Sequence, residues 1–379
     1  KEVRKITYLI IFICLTLFSL WELMLANVSK WLFYVMYAVL SGLAILRFGI
    51  GTDYFSYKYI YEIMPKITEF NGTNLQQIHG EIGFKISIGV SKSLGFSSEV
   101  YIAVITGISL LFLLRFFNIY IKEYKMIALL IFYSMYYFTY INSGIRQGLT
   151  ICVFLGVGLL LWEKKKYLYY YMLIIMLATF HSSVLIVVFL PFINFLKKEW
   201  ILLFITIISL GNFLISVVLK TNLLLSLLPI TPYTDVLSLP AFSIRALSLI
   251  LILILYFLTK NNNARFDNIF YSYLIGFYIY IAFASNSLIA SRLHVYFKAL
   301  EMILIPGYLG LLRLNTRRVL GYIILLTLYP IFWSKEINSQ LSDGSYYNRD
   351  SLLNYKYVSV FNQNDIYQLR YTKYDFTDL

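Results

Sequence analysis

Four arginines stand apart from the other basic residues of the sequence. Arg47 follows an apolar run, Arg146 and Arg245 open apolar runs, and Arg292 lies one turn inside another. Arginine presents a planar fork of donors that stays charged and grips phosphate bidentately. Asp53 follows Arg47 within R-F-G-I-G-T-D-Y-F-S-Y (47–57), together with Tyr54 and Tyr57. Glu81 lies in H-G-E-I-G-F (79–84), Gln147 follows Arg146, His181 sits between two apolar runs, and Tyr296 is four residues beyond Arg292. Such a set suits an anionic ligand, for which a pyrophosphate fits, and Asp53, Glu81 and His181 are candidate proton acceptors. Each has a plainer reading. Arg146 or Arg245 alone reads as a snorkelling anchor, His181 as a helix-end residue, and Lys298 with Glu301 as an internal ion pair at i, i+3. Arg292 differs, because an ionic side chain inside an apolar helix is costly enough to imply function or an internal partner.

The elements that position these residues are apolar helices. The chain has 379 residues, is 60% hydrophobic and only 13% charged, and its mean hydropathy is +0.72. That places it among all-α, polytopic integral membrane proteins. Spans are expected at Ile6–Leu25, Trp31–Leu46, Val100–Tyr120, Met126–Ile141, Ile145–Trp162, Tyr167–Phe180, Ser183–Leu196, Trp200–Leu219, Ser243–Thr259, Phe266–Phe283, Leu288–Leu311 and Val319–Trp333, about twelve transmembrane helices in all. Residues 1–333 thus form the transmembrane domain, with outward-facing loops at 47–98 and 220–242. Within the first loop, Gly49 and Gly51 permit a sharp turn, Thr52 or Asp53 caps a short helix through Tyr54, Tyr57 and Tyr61, and Ile82–Leu94 is amphipathic. The second, Thr221–Phe242, carries Pro229, Pro232 and Pro240 and reads as re-entrant or interfacial. Residues 334–379 form a polar, tyrosine-rich tail too polar to span.

The net charge of +13 is carried largely by short connections between the apolar runs, so it reads as positive-inside orientation and not as nucleic-acid binding. Lysine pairs and triplets such as Lys164–Lys166 and Lys197–Lys198 mark every second connection as cytoplasmic. The alternate connections, the loop 47–98 and the tail then face outward, and the candidate residues gather on that side. Counting back puts the N-terminus outside, whereas Lys1, Arg4 and Lys5 argue for inside. Either the first loop is cytoplasmic against the charge bias, or one more segment near 82–98 crosses. The first run is too long for a signal-peptide core and is expected to be retained.

Other chemistries are thinly represented. There is no G-x-x-x-x-G-K-[ST] loop, H-E-x-x-H pair, C-x-x-C pair or G-x-S-x-G elbow, and no acidic cluster of the kind that binds Mg²⁺ or Ca²⁺. No metal or other cofactor is expected.

The ordered set R-F-G-I-G-T-D-Y-F-S-Y (47–57), E-I-G-F-K (81–85), I-R-Q-G-L (145–149), F-H-S-S (180–183), S-R-L-H-V-Y-F (291–297) and I-L-I-P (303–306) resembles the EpsG-type branch of Wzy-like O-antigen and exopolysaccharide polymerases. The resemblance spans most of the chain. It implies a GT-C-like glycosyltransferase of the bacterial inner membrane, with its active site facing the periplasm. Such an enzyme joins undecaprenyl-pyrophosphate-linked oligosaccharide repeat units, in some systems beside a chain-length regulator protein. Arg47, Arg146, Arg245 and Arg292 would then neutralise the pyrophosphate, with Arg292 its anchor. Asp53, Glu81 or His181 would take the acceptor proton. Two other classes fit a cationic, polytopic chain. A lipid-linked oligosaccharide flippase should show internal repeats, and none is evident; a membrane O-acyltransferase would need its histidine placed for a cytoplasmic acyl donor.

Overall fold

A computed structural model describes residues 6–24, 30–194, 239–259, 264–284, 286–342 and 357–363, with isolated positions between 203 and 211. The expected span Trp200–Leu219, nearly all of the proline loop and most of the tail lie outside the described residues. Those described are helical and contain no strand. Thr7–Met24, Ser98–Tyr120, Ile145–Glu163, Ala241–Thr259 and Leu314–Gln340 are long and apolar enough to cross a bilayer, and Lys30–Ile45, Lys125–Met135, Tyr167–Ala178, Ser182–Ile193 and Glu301–Leu311 are shorter apolar helices. The chain is an all-helical membrane protein.

It divides into two compact units. The first comprises residues 1–157, 175–182 and 314–379, the second 158–174 and 183–313. In the first unit lie α1 (Thr7–Met24), α2 (Lys30–Ile45), α3 (Tyr54–Ile63), α4 (Gly72–Gln77), α5 (Ile82–Ser93), α6 (Ser98–Tyr120) and α7 (Lys125–Met135). A wide π-type turn over Tyr137–Ser143 leads into α8 (Ile145–Val153), and α9 (Leu159–Glu163) belongs to the second unit. The first unit closes with α15 (Leu314–Ile323) and α16 (Tyr329–Ser342). Helix α7 is its centre, with every side chain from Met126 to Met135 buried.

Lipid is as apolar as leucine, so burying apolar side chains contributes little in a bilayer, and packing with polar ties must hold the helices together. Tyrosine supplies many of these ties. Tyr133 donates to the Tyr8 carbonyl at 2.8 Å, and Tyr137 donates to the Leu40 carbonyl at 2.9 Å. Glu22 on α1 accepts from the amides of Met126 and Ile127 at 2.9 and 3.1 Å. It thereby caps α7 with a residue a hundred positions away in sequence, satisfying donors that the helix start leaves open.

The 47–98 region folds as expected in its local elements. Gly49 and Gly51 have positive φ, Asp53 occupies the N-cap position of α3 but its side chain makes no capping hydrogen bond, and the amphipathic piece is α5. Lys92 on α5 donates to the carbonyls of Glu62 and Met64 at 2.6 and 2.7 Å, which closes α3 and α5 on one another. Tyr61 donates to the Phe96 carbonyl at 2.6 Å.

The second unit contains most of α10 (Tyr167–Ala178), a 3₁₀ segment over Ser182–Asn194, α11 (Leu239–Thr259), α12 (Ala264–Ala282), α13 (Ser287–Lys298) and α14 (Glu301–Leu311). The expected continuous span Leu288–Leu311 is divided by a tight turn at Ala299–Leu300. There Leu300 and Met302 bond three residues back instead of four, and Pro306 has no amide to give to the preceding turn. Lys298 closes one half-helix and Glu301 opens the other, so each charge faces the helix end that favours it.

Candidate active site

Arg146 is the hub of the polar cluster in the first unit. It stands in the first turn of α8 because the turn before it is held from two sides. Thr139 donates to Glu336 and Ser143 donates to Gln340 at 3.0 Å, both acceptors lying on α16. The amide of Thr52 donates to Ser143 Oγ at 3.1 Å, which ties the loop bearing Asp53 to the same turn. Glycine permits the approach, for a Cβ on Gly51 would meet the Asn142 carbonyl.

Glu81 arrives from a different direction. Gly83 donates its amide to the Thr179 carbonyl at 2.8 Å, and a Cβ there would lie 2.2 Å from Thr179 Oγ1. The start of α5 therefore seats directly on the 178–182 turn. The turn carries His181, and the seating brings Glu81 to it. Arg146 Nη1 pairs with Glu81 Oε2 at 2.7 Å, while Glu81 Oε1 accepts from the Ser182 amide at 3.1 Å. His181 Nδ1 faces the same oxygen at 3.4 Å, too long for a strong hydrogen bond, so Arg146 is the closer partner. Nη2 of Arg146 faces His79 Nε2 at 3.4 Å. The guanidinium lies 5.1 Å from the Phe84 ring centre and 5.9 Å from that of Tyr57.

Burial pushes the Glu81 carboxyl up, but the His181 ring, Arg146 and the Ser182 amide outweigh it and bring its pKa down to about 2. Glu81 is thus held ionised and makes a poor proton acceptor. Burial also raises the Tyr57 hydroxyl; Arg146 opposes the shift and Asp53 reinforces it, so both charges are within reach of Tyr57. Asp53 itself is exposed, with Thr52 Oγ1 at 3.3 Å from its Oδ1.

Arg47 is placed differently from the expectation of a pyrophosphate ligand. It is 2% exposed, donates to the Ala44 carbonyl and to Thr106 Oγ1, and lies over Tyr54, which is itself buried. Gln147 is buried within α8. Of the expected site residues in the first unit, Asp53, Tyr57, Glu81, Arg146 and His181 come together, while Arg47, Tyr54 and Gln147 belong to its packed interior. His79, Phe84, Thr179 and Ser182 were missed as site residues, although H-G-E-I-G-F and F-H-S-S contain three of them.

In the second unit, Arg245 donates to Ser291 Oγ at 2.9 Å and stacks over Tyr280 at 4.0 Å. Tyr296 is buried, its hydroxyl 3.1 Å from Ser183 Oγ. Arg292 is exposed, contrary to the expectation that it is the buried arginine. The reason is position along α13: His294 to Phe297 are buried on all sides of the helix, whereas Arg292 lies in the turn before them, in line with Leu288, which is exposed as well. Among the described residues, no three His, Cys, Asp or Glu gather to hold a metal ion.

The EpsG family model matches residues 30–357, a range that contains every residue of both clusters. No curated protein and no solved structure matches the chain.

Proposed function

Because the chain belongs to the EpsG family, we propose that it is a polysaccharide polymerase, a glycosyltransferase that joins undecaprenyl-pyrophosphate-linked repeat units at the periplasmic face of the bacterial inner membrane. The full fold on this reading has about twelve spans and a GT-C-like arrangement. The observation that carries the proposal is Arg146, a cation held on Glu81 beside His79, His181 and an exposed Asp53.

In the reaction, a hydroxyl oxygen of the acceptor sugar bonds to the anomeric carbon of the donor chain. The bond from that carbon to the pyrophosphate oxygen breaks, and its electron pair leaves with the pyrophosphate. Arg146 stabilises the charge that develops there, and Glu81 fixes the plane of its guanidinium. Asp53 takes the acceptor proton, being an exposed carboxylate in the same cluster. His181 and Tyr57 hold the walls of the cluster. No metal is needed where arginine supplies the positive charge.

The test is polymerisation of purified lipid-linked repeat units by folded variants. Arg146→Ala should lose about 10²-fold or more of polymer formation, as for other lost charge-stabilising donors. Arg146→Lys should not restore it, because the bidentate fork is gone. Near-normal chains from Arg146→Ala would sink the assignment, and near-normal chains from Asp53→Asn would remove Asp53 as the proton acceptor.

A further inference from the structure

Helix α5 turns both of its charges toward the protein and an unbroken apolar stripe away from it. Its charged residues are Lys85 and Lys92. Lys85 is buried and donates to the Leu75 carbonyl at 2.6 Å. Lys92 donates to the carbonyls of Tyr61, Glu62 and Met64 at 3.3, 2.6 and 2.7 Å, acceptors that the end of α3 leaves open. Ile82, Ile86, Val90 and Leu94 follow one another at i, i+4 spacing along another side, and are 49, 42, 40 and 65% exposed. A helix bordering water arranges these types the other way, with lysine outward and isoleucine inward. Phe84 and Ile88 are buried, so α5 is apolar on both sides and its lysines meet carbonyls instead of solvent.

The neighbouring helix indicates what covers the stripe. Exposed apolar residues run on through Phe96 to Val100, Val104 and Ile108 on α6, a helix long and apolar enough to cross a bilayer. Ser87 Oγ lies 2.8 Å from the Tyr101 hydroxyl, which holds α5 against the start of α6. The lipid that covers the exposed side of α6 is therefore at hand for α5. The four aliphatic side chains offer none of the aromatic or arginine anchors that protein interfaces concentrate, so hydrocarbon suits them better than a second protein. The 12 residues of α5 make a helix of about 18 Å. That is short of the ~30 Å hydrocarbon core, so α5 can enter a bilayer but not cross it.

We propose that α5 is a membrane-docking helix, seated with Ile82, Ile86, Val90 and Leu94 in the hydrocarbon of the leaflet at which α6 begins. Lipid then bears on the helix that follows directly from Glu81. The bilayer thereby sets the depth of Glu81 and its partner Arg146, at the boundary of hydrocarbon and water. Such seating is independent of the reaction that the cluster performs.

The experiment puts a nitroxide on the purified full chain in phospholipid vesicles, at single cysteines introduced in a Cys14→Ala, Cys152→Ala background. Its collisions with oxygen are compared with those of a water-soluble nickel chelate. Ile86→Cys and Val90→Cys are the test positions. Ile108→Cys on α6 is the lipid reference, and Glu62→Cys, at an exposed position near the end of α3, is the water reference. Hydrocarbon dissolves oxygen and excludes the chelate, so the oxygen-to-chelate ratio at 86 and 90 should match that at 108 and exceed that at 62 by about tenfold or more. Chelate collisions as frequent at 86 and 90 as at 62 would put the stripe in water and overturn the docking. Few collisions with either reagent, together with dipolar broadening between labels, would place a second copy on the stripe and overturn it as well. Ile86→Lys and Ile86→Leu give a check without labels. Lysine forms helix about as well as leucine, so in vesicles only Ile86→Lys should lower the unfolding temperature. Equal unfolding temperatures for the two would remove lipid from that side of α5.

Discussion

Gly51 stands so close to Asn142 that a Cβ built on it would lie 2.1 Å from the Asn142 carbonyl oxygen. The loop carrying Asp53 and the turn leading into Arg146 are therefore locked together by backbone contact, at a φ of +106° that only glycine adopts without strain. Gly51→Ala should cost about 1–3 kcal/mol, from the strained φ and the clash together. Gly42→Ala is the control, because nothing lies within 4 Å of its missing Cβ and alanine is the better helix former. Thermal unfolding should show a clear drop for the first and none for the second; equal behaviour would mean that the loop does not seat on the turn.

The depressed Glu81 carboxyl gives a pH signature. Its pKa falls from 4.5 unfolded to about 2 folded, so the unfolded chain binds more protons between those values and stability falls as pH falls. The contribution is fully present above 4.5 and is lost on descending towards 2. The difference in unfolding temperature between wild type and Glu81→Gln should be level at neutral pH and shrink across that window. A difference that stays constant through the window would exclude the Glu81–Arg146 pair as its source.

Local chemistry was legible in the sequence because it depends on neighbours along the chain. The turn at Gly49 and Gly51, the start of α3 at Asp53 and the amphipathic α5 follow from residue type and period, although Asp53 makes no capping bond. The pairing of Glu81 with Arg146 was not legible, since it depends on Gly83 seating α5 against Thr179, a contact between distant segments. The exposure of Arg292 and the burial of Arg47 were likewise hidden. An apolar run shows that a helix lies in the membrane, but in an all-apolar stretch the period does not show which side faces the protein. Glu22 was missed for the same reason as Glu81, because its partners are the open amides of another helix.

Arg47 provides a sharper test of that difference. Its guanidinium is buried between α2 and Thr106 with Tyr54 alongside, which suits a packing post better than a substrate contact. Replacing a buried charge with an apolar group of similar size is often neutral or stabilising. Arg47→Met should keep the unfolding temperature and polymer formation near normal, whereas Arg47→Ala should lose about 2–5 kcal/mol by leaving a cavity. A well-folded Arg47→Met that makes no polymer would return Arg47 to the reaction.

The described part of the tail gives the last prediction. Phe48 donates its amide to the Val358 carbonyl at 2.9 Å, and Val360 donates to the Leu46 carbonyl at 2.9 Å, so the tail pairs with the backbone on both sides of Arg47. Tyr357 adds a bond to the Leu43 carbonyl at 3.2 Å. This clasp holds the start of the loop whose other end is pinned by Gly51. Its effect on Arg146 therefore runs through Ser143, which accepts from Thr52. Val360→Pro removes one donor and stiffens the backbone at that residue. Amide exchange at Phe48 should then speed up by about tenfold or more, reflecting local opening, and polymer formation should fall in step. Phe361→Ser is the control, since that side chain is 78% exposed and its loss should change neither readout. If Phe48 stays as protected in Val360→Pro as in wild type, the tail does not clasp the loop; faster exchange with full polymer formation would separate the clasp from the chemistry at Arg146.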